Sequence, residues 1–413
     1  MPLTPPTEST TVRQGLDRLL GGRDSTEFLA TELGEHMLHQ KGEPDRWADL
    51  FSWTDLNALL NQDIISVPEV RLMKRSTAVN KSHYTYQRDE RVLPDAALCQ
   101  RQMAEGATLI VQGVDRANPR LAAFANSLKQ EFNAEVFVDA VITCASVPGL
   151  NLHWDAYECF NIQIAGEKEW QVTPPARPYP SRSTKAFRQR TEPVETEAPA
   201  GPPAWTGIVA PGDLIYLPRG WWHGVTPHVV PSLHLSIAVD LPTLGDLLDW
   251  HVETMKQLDF IRRPIPCWGT EETRQSFAKQ AASELAPLTP SSNTIDMYLA
   301  HLRTTARPKA DFSLPSAASP TGPSLRASTL VRLRTDWLPF DVAGGRIRIE
   351  WRGLPLEFTD QVVPIVDALN REKACRFEQL ARLSNPMIVS AFLLSLAGAG
   401  VISIANDDQA RGR

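Results

Sequence analysis

Asn151-Leu152-His153-Trp154-Asp155-Ala156-Tyr157-Glu158-Cys159-Phe160 and Gly212-Asp213-Leu214-Ile215-Tyr216-Leu217-Pro218-Arg219-Gly220-Trp221-Trp222-His223-Gly224-Val225 are the two stretches that decide the fold. In the first, a histidine and an aspartate stand two apart. On an extended chain, residues i and i+2 share a side. His153 and Asp155 can therefore reach one metal ion together. A third ligand has to come from a facing element. The second stretch reads as a strand, a tight Pro-Arg-Gly turn and a histidine opening the next strand, and His223 supplies that ligand. Two imidazoles and one carboxylate on one face leave about three octahedral positions open.

Open positions are what O2 chemistry requires. A bidentate 2-oxoacid fills two and oxygen the third. The nitrogen and oxygen donor set suits Fe(II) better than the thiolate sets that bind zinc do. Taken alone, the His-x-Asp spacing is weak. His153 also fits a structural or surface histidine, Asp155 an Asx-turn residue, and His223 a buried core histidine beside two tryptophans. Joint placement beside predicted strands, with the Gly-Asp and Pro-x-Gly-x-x-His turn, lifts the ligand reading above these.

Working outward, the surrounding segment alternates short apolar or β-branched runs with glycine and proline turns. Ala134–Thr143, Glu158–Ala165, Glu169–Val172, Thr206–Val209, Asp213–Leu217 and Leu233–Val239 read as strands, which suggests a barrel or a double-sheet jelly roll. Residues 180–205 contain five prolines among Ser, Thr and Glu. They read as an irregular insertion, with a lid as one role. Before the strands, helical spacing covers Val12–Leu20, residues 26–40 and Trp53–Leu60, the last with Ser52 as cap. Val70–Lys74 and Thr108–Gln112 read as strands, and Pro94–Gly106 as a helix.

After the strands, 241–262 returns to helix. Residues 303–328, rich in Pro, Ser, Thr and Ala, read as a linker. Arg346–Trp351 alternates as a strand, helices are expected over Thr359–Asn370, Phe377–Leu383 and Asn385–Ala397, and Val401–Ile404 fits a closing strand. The expected division is 1–240, 241–302, 303–328 and 329–413. With 413 residues the chain is long enough for more than one domain. It is 42% hydrophobic and 22% charged, with a net charge of −6. Bulk charge therefore gives no pull toward nucleic acid or an anionic membrane. The cysteines Cys99, Cys144, Cys159, Cys267 and Cys375 form no Cys-x-x-Cys pair, which fits a reducing compartment. No apolar run is long enough to span a bilayer, and the polar, proline-rich start lacks a signal pattern. The cytoplasm is the expected location, with no membrane partner.

LHWDAYECFNIQIAGEKEWQV (152–172), GDLIYLPRGWWHGVTPH (212–228) and SLHLSIAVD (232–240) together resemble the Jumonji-C (JmjC) branch of the cupin superfamily. The nearest branch is that of the ribosomal oxygenases, which are 2-oxoglutarate- and Fe(II)-dependent protein hydroxylases. The likeness covers roughly residues 25–262, with a weaker one over 330–405. It implies a mainly β fold with helices, built on a double-stranded β-helix, then a helical dimerisation segment and a winged-helix-like domain. It implies His153, Asp155 and His223 as iron ligands. Lys168, in the position of the family's basic residue, would hold the distal carboxylate of 2-oxoglutarate. Its local surroundings also fit a solvent-facing turn lysine.

The chain departs from the family pattern at Val141-Ile142-Thr143, where a tyrosine is usual. Thr143, Asn161 or Ser236 would then compensate as cosubstrate contacts. Asn161 and Gln163 share one strand face and also fit core hydrogen bonding. His234 fits a core or supporting role better than a substrate contact, Trp170 a core role, and Trp154, Tyr157, Trp221 and Trp222 either core or pocket wall. The implied reaction is hydroxylation of an arginine or histidine side chain, with a ribosomal protein as first substrate and a peptide or natural-product precursor next. A homodimer is expected. DNA binding is not, because 385–397 offers no basic or amide side chain beyond its first residue to read base edges. Two competing readings remain: a non-enzymatic metal-binding cupin acting as an interaction module, and a zinc or manganese cupin with Glu158 as fourth ligand.

Overall fold

Strand alternation governs the N-terminal half. The computed structural model describes residues 14–62, 65–67, 69–175, 178–180, 199, 201–305, 325–334, 338, 340–351, 354–372 and 374–405. The start of the first expected helix, most of the 180–205 insertion and most of the 303–328 linker lie outside them. The chain divides into two compact units, Met1–Pro242 and Thr243–Arg413. It is a mixed α/β protein whose first unit is organised on one large sheet.

The strands of the first unit are β1 (Leu38–Gln40), β2 (Val70–Lys74), β3 (Thr77–Ala78), β4 (Thr85–Arg88), β5 (Arg91–Pro94), β6 (Thr108–Val111), β7 (Glu135–Thr143), β8 (His153–Trp154), β9 (Glu158–Thr173), β10 (Trp205–Val209), β11 (Leu214–Leu217) and β12 (Trp222–Asp240). Ten of them form one sheet in the order β1-β11-β9-β12-β7-β6-β2-β3, with β10 on β9 and β8 on β12; β4 and β5 make a separate hairpin. Two long strands, β9 and β12, carry the architecture. They pair along both halves, with Glu158 opposite Val239 at one end and Thr173 opposite Trp222 at the other. Between the halves β9 turns at Gly166 and β12 shifts register between Pro227 and His234. Gly166 sits at φ +66°, and a Cβ there would lie 2.4 Å from the Pro231 carbonyl oxygen. Only glycine fits so close a backbone approach.

Strand parity decides the two sides. Val136, Val138, Ala140 and Ile142 of β7 join Phe160 and Ile162 of β9 and Leu233, Leu235, Ile237 and Val239 of β12 in the main core. Helices Gln14–Leu20, Ser25–Thr31 and Pro119–Phe132 add Leu16, Leu19, Leu20, Phe28, Leu121, Phe124 and Leu128 to it. The opposite parity, Phe137, Asp139, Val141 and Thr143 with Cys159 and Asn161, lines a cavity instead. So does the far half of the sheet, through Lys168, Trp170, His223 and Val225.

Several expectations are corrected. The helix expected over 26–40 ends at Thr31, and Leu38–Gln40 pairs with β11. Gly34, at φ +79°, breaks it, and its N–H donates to the Tyr216 hydroxyl at 2.7 Å. Glu158–Ala165 and Glu169–Val172 are one strand, because Gly166 bends the ladder without ending it. The helix Pro119–Phe132, capped by Asn118, and the β4–β5 hairpin were not expected. Cys144 and Cys267 are exposed, while Cys99, Cys159 and Cys375 are buried.

In the second unit, helices Leu244–Met255, Glu271–Leu285 and Ser292–Thr305 come first. A separate core then forms from Val331, Ile347, Ile349, Trp351, Ile365, Leu369, Leu380, Phe392, Leu393 and Ile402. Helices Val363–Glu372, Phe377–Ala381 and Pro386–Gly398 surround it, with two three-stranded sheets. Among the described residues no helix is long and apolar enough to cross a membrane.

Candidate metal and cosubstrate site

Two short stretches of backbone set three side chains. β8 is only His153–Trp154, and it pairs with Trp222 and His223 at the start of β12. His153 and His223 are direct cross-strand partners, and their rings lie 4.2 Å apart. The turn before His223 is closed by Trp221 N–H donating to the Pro218 carbonyl at 3.1 Å. Gly220, at φ +89°, takes the position of that turn where a side chain is strained. Its N–H donates to the Asp155 carbonyl at 2.8 Å, which ties the turn to the aspartate.

One ligand atom each from His153, Asp155 and His223 lies within 4.8 Å of the others. His223 Nε2 and Asp155 Oδ2 are 3.6 Å apart. Each ring is oriented from behind: His153 Nδ1 meets the Asn151 carbonyl at 2.9 Å and His223 Nδ1 the Trp221 carbonyl at 3.1 Å. A carbonyl only accepts, so both Nδ1 atoms donate and Nε2 is the ring atom each histidine turns toward a metal. Two imidazoles and one carboxylate suit a divalent ion that keeps open positions.

The three line a cavity of about 540 Å³. Lys168, Thr143, Asn161 and Ser236 line it too, so every residue expected at the cosubstrate end faces the same space. Lys168 is buried at 2% exposure, not solvent-facing. Burial pulls its ammonium down to about 7 from the usual 10.5. Its Nζ lies 2.7 Å from His234 Nδ1. Among the described residues no carboxylate pairs with it. A buried cation in that position needs an anion, and an acidic cosubstrate fits it. Asn161, Ser236 and Asp139 stand in register across β9, β12 and β7. Thr143 Oγ1 shares a hydrogen bond with Thr108 Oγ1 at 3.1 Å.

Other sequence expectations separate here. Gln163 donates to the Ala165 and Gly166 carbonyls, at 2.8 and 3.1 Å, and serves the bend in β9 rather than the cavity. Trp170 is buried as expected but also lines the cavity, its ring stacked 5.8 Å from that of His223. Glu158 accepts from the Tyr216 hydroxyl and lies on the parity of the main core. Burial raises its carboxyl, against the hydrogen bonds from Tyr216 and the Arg219 N–H. It stands outside the three-residue cluster, so the fourth-ligand reading loses its candidate.

Asp139 was missed. It lines the cavity, accepts from the Gly113 N–H at 2.9 Å and from Gln112 Nε2 at 3.4 Å, and its carboxyl is pushed up by burial. The available signal was an aspartate inside the apolar run Val136–Thr143, on the parity of Thr143. Arg71 and Gln112, also lining this end, carry no such signal.

The JmjC domain family matches residues 115–247. A bifunctional lysine-specific demethylase and histidyl-hydroxylase NO66 of Dictyostelium discoideum is 25% identical over 228 residues, 54% of this chain and 42% of that protein. Ribosomal oxygenase 1 of Gallus gallus is 27% identical over 218 residues, 52% of this chain and 34% of its own length. The chain thus spans less than half the length of these curated relatives. Among solved structures, the Escherichia coli ribosomal oxygenase YcfD aligns at TM-score 0.53 and 14% identity, covering 92% of this chain and 98% of that one. Another YcfD structure, in complex with cobalt and 2-oxoglutarate, aligns at 0.52 and 15% identity, covering 92% and 97%. At such identities the likeness is one of fold. Residues 115–247 match the JmjC domain family, and over that part the chain is similar to JmjC-domain proteins of the ribosomal-oxygenase type.

Proposed function

We propose that this protein is an Fe(II)- and 2-oxoglutarate-dependent hydroxylase acting on an arginine or histidine side chain of a ribosomal protein or peptide. The observation that carries the reading is the convergence of His153, Asp155 and His223 within 4.8 Å, in a cavity that also holds the buried cation of Lys168. A structure of similar fold, YcfD, binds cobalt and 2-oxoglutarate. Bound iron and 2-oxoglutarate would supply O2 activation and C–H oxidation. This chain's own residues do the rest. His153, Asp155 and His223 hold the ion on one face. Lys168 takes the distal carboxylate, with Thr143, Asn161 and Ser236 as polar contacts along the wall. Trp170, Val225 and Ala238 keep water from the reacting end.

Asp139 favours a cationic side chain as substrate. A carboxylate on the cavity wall would accept from a guanidinium or an imidazolium. Asp139→Asn is expected to raise KM for a basic peptide about tenfold or more, with 2-oxoglutarate binding unchanged.

The core we read as a double-stranded β-helix within residues 1–240, the finer form of the bent sheet. Residues 241–302 would be the dimerisation segment. Leu244, Leu248 and Val252 repeat every fourth residue and stand 66%, 41% and 44% exposed, an apolar stripe that suits a two-fold partner. Sedimentation of wild type against Leu248→Glu tests it: a dimer should become a monomer. Residues 329–413 fit a winged-helix-like domain whose helix Pro386–Gly398 carries no charged residue, a poor match to DNA.

The deciding experiment loads the protein with Fe(II) anaerobically, adds 2-oxoglutarate and measures succinate release against ribosomal proteins and short basic peptides. Product mass should rise by one oxygen atom. Folded, iron-loaded protein that neither binds nor turns over 2-oxoglutarate would end the oxygenase reading.

A further inference from the structure

Lys168 Nζ and His234 Nδ1 lie 2.7 Å apart, and the two side chains are 2% and 6% exposed. Two backbone features bring them together. Lys168 follows the Gly166 bend of β9, and His234 follows the register shifts of β12. With Lys168 charged, as a bound carboxylate would hold it, the ammonium has donors only and Nδ1 accepts. That fixes the ring as the neutral Nε2–H form. Burial, and then the Lys168 charge, hold the His234 imidazole well below its usual range, which keeps the ring in that accepting state. Lys168 is a point charge on a flexible four-carbon stem, unlike the pre-organised fork of an arginine. Among the described residues, His234 is the side chain that hydrogen-bonds it.

We propose that His234 is a positioning residue for the cosubstrate. Its Nδ1 accepts from Lys168 and aims the ammonium at the distal carboxylate of a 2-oxo dicarboxylic acid. The pair thereby sets the preference for that class over 2-oxo monocarboxylic acids. The inference rests on the oxygenase reading above and adds a residue that neither motif nor spacing singled out for this role. His234 touches Lys168, not the reacting atoms, so its loss changes which acid binds rather than whether a metal binds.

The test is equilibrium binding by calorimetry, using the full chain loaded with Fe(II) under anaerobic conditions. The probes are 2-oxoglutarate and 2-oxobutyrate, which lacks the distal carboxylate. The proteins are wild type, His234→Leu and His234→Asn. Asparagine keeps an amide oxygen near the Nδ1 position; leucine offers no acceptor. His234→Leu should weaken 2-oxoglutarate about 10- to 100-fold and leave 2-oxobutyrate within about threefold. His234→Asn should restore most of the loss. A purely structural role would weaken both acids equally in the leucine variant, and that result, or an unchanged preference, overturns the proposal. If the leucine variant does not fold, His234→Gln replaces it. Its amide sits near Nε2, so it should fail to restore the preference that His234→Asn keeps; equal behaviour of the two overturns the proposal. Wild-type protein that binds no 2-oxoglutarate overturns the oxygenase reading itself, and this inference with it.

Discussion

Charging Lys168 is opposed by burial, which brings its pKa to about 7. The unfolded chain holds that proton up to about 10.4. Between those values the unfolded state binds more protons than the folded one, so stability rises with pH across the window. Below about 7 the folded state carries the full burden of a buried charge. Lys168→Met removes it. The variant should melt roughly 2–4 °C above wild type at pH 6 for each 1 kcal/mol recovered, and should lose 2-oxoglutarate affinity. Thermal melts with and without 2-oxoglutarate check both halves; a variant that melts lower and still binds would contradict them. Asp155→Ala is simpler: it removes a ligand atom. Mn(II) affinity, followed by paramagnetic resonance, should fall by more than the about 10- to 100-fold that losing an outer partner costs. At this scale the sequence was legible where spacing carried chemistry, as in His153-x-Asp155. It was less so at Asp139 and His234, whose roles depend on which face of β7 and β12 meets the cavity.

At the scale of elements, β9 and β12 are the two long strands that serve both halves of the sheet, and Gly166 is where β9 changes direction. Gly166→Ala places a methyl group 2.4 Å from the Pro231 oxygen and 2.6 Å from that of Val229, at φ +66°. Both the backbone strain and the clash oppose it. We expect a loss of about 2–3 kcal/mol in urea unfolding, with Lys168 displaced and 2-oxoglutarate binding weakened. Gly344→Ala, also at positive φ but with nothing within 4 Å, should lose less. Strand positions were readable from alternation. Their continuity was not: a glycine inside an apolar run reads as a break, whereas here β12 pairs with Ala165 and Glu167 on either side of it, across a shift of register. The helical spacing over 26–40 misled for a related reason. Pairing of Leu38–Gln40 with Leu214–Tyr216 is long-range, and local periodicity holds no information on it.

At the scale of the whole molecule, each compact unit has its own apolar core. A ligand that binds only the folded first unit, at about 100 times its dissociation constant, stabilises it by about 2.7 kcal/mol. Hydrogen exchange with and without Mn(II) and 2-oxoglutarate should therefore slow amides of β7, β9 and β12 and leave Val363–Glu372 and Pro386–Gly398 unchanged. Protection gained in the second unit instead would place the ligand elsewhere. Residue order alone marked the strand-rich centre and put His153 and Asp155 on one side of an extended chain, because both follow from its two-residue repeat, whereas Lys168 was reached only through the family resemblance. Only the tertiary structure decided that β9 is continuous through Gly166, that Glu158 turns into the core, and that Asp139, His234 and Lys168 open on one cavity. Each of those depends on which distant strand lies alongside, and pairing partners more than fifty residues apart leave no mark on local pattern.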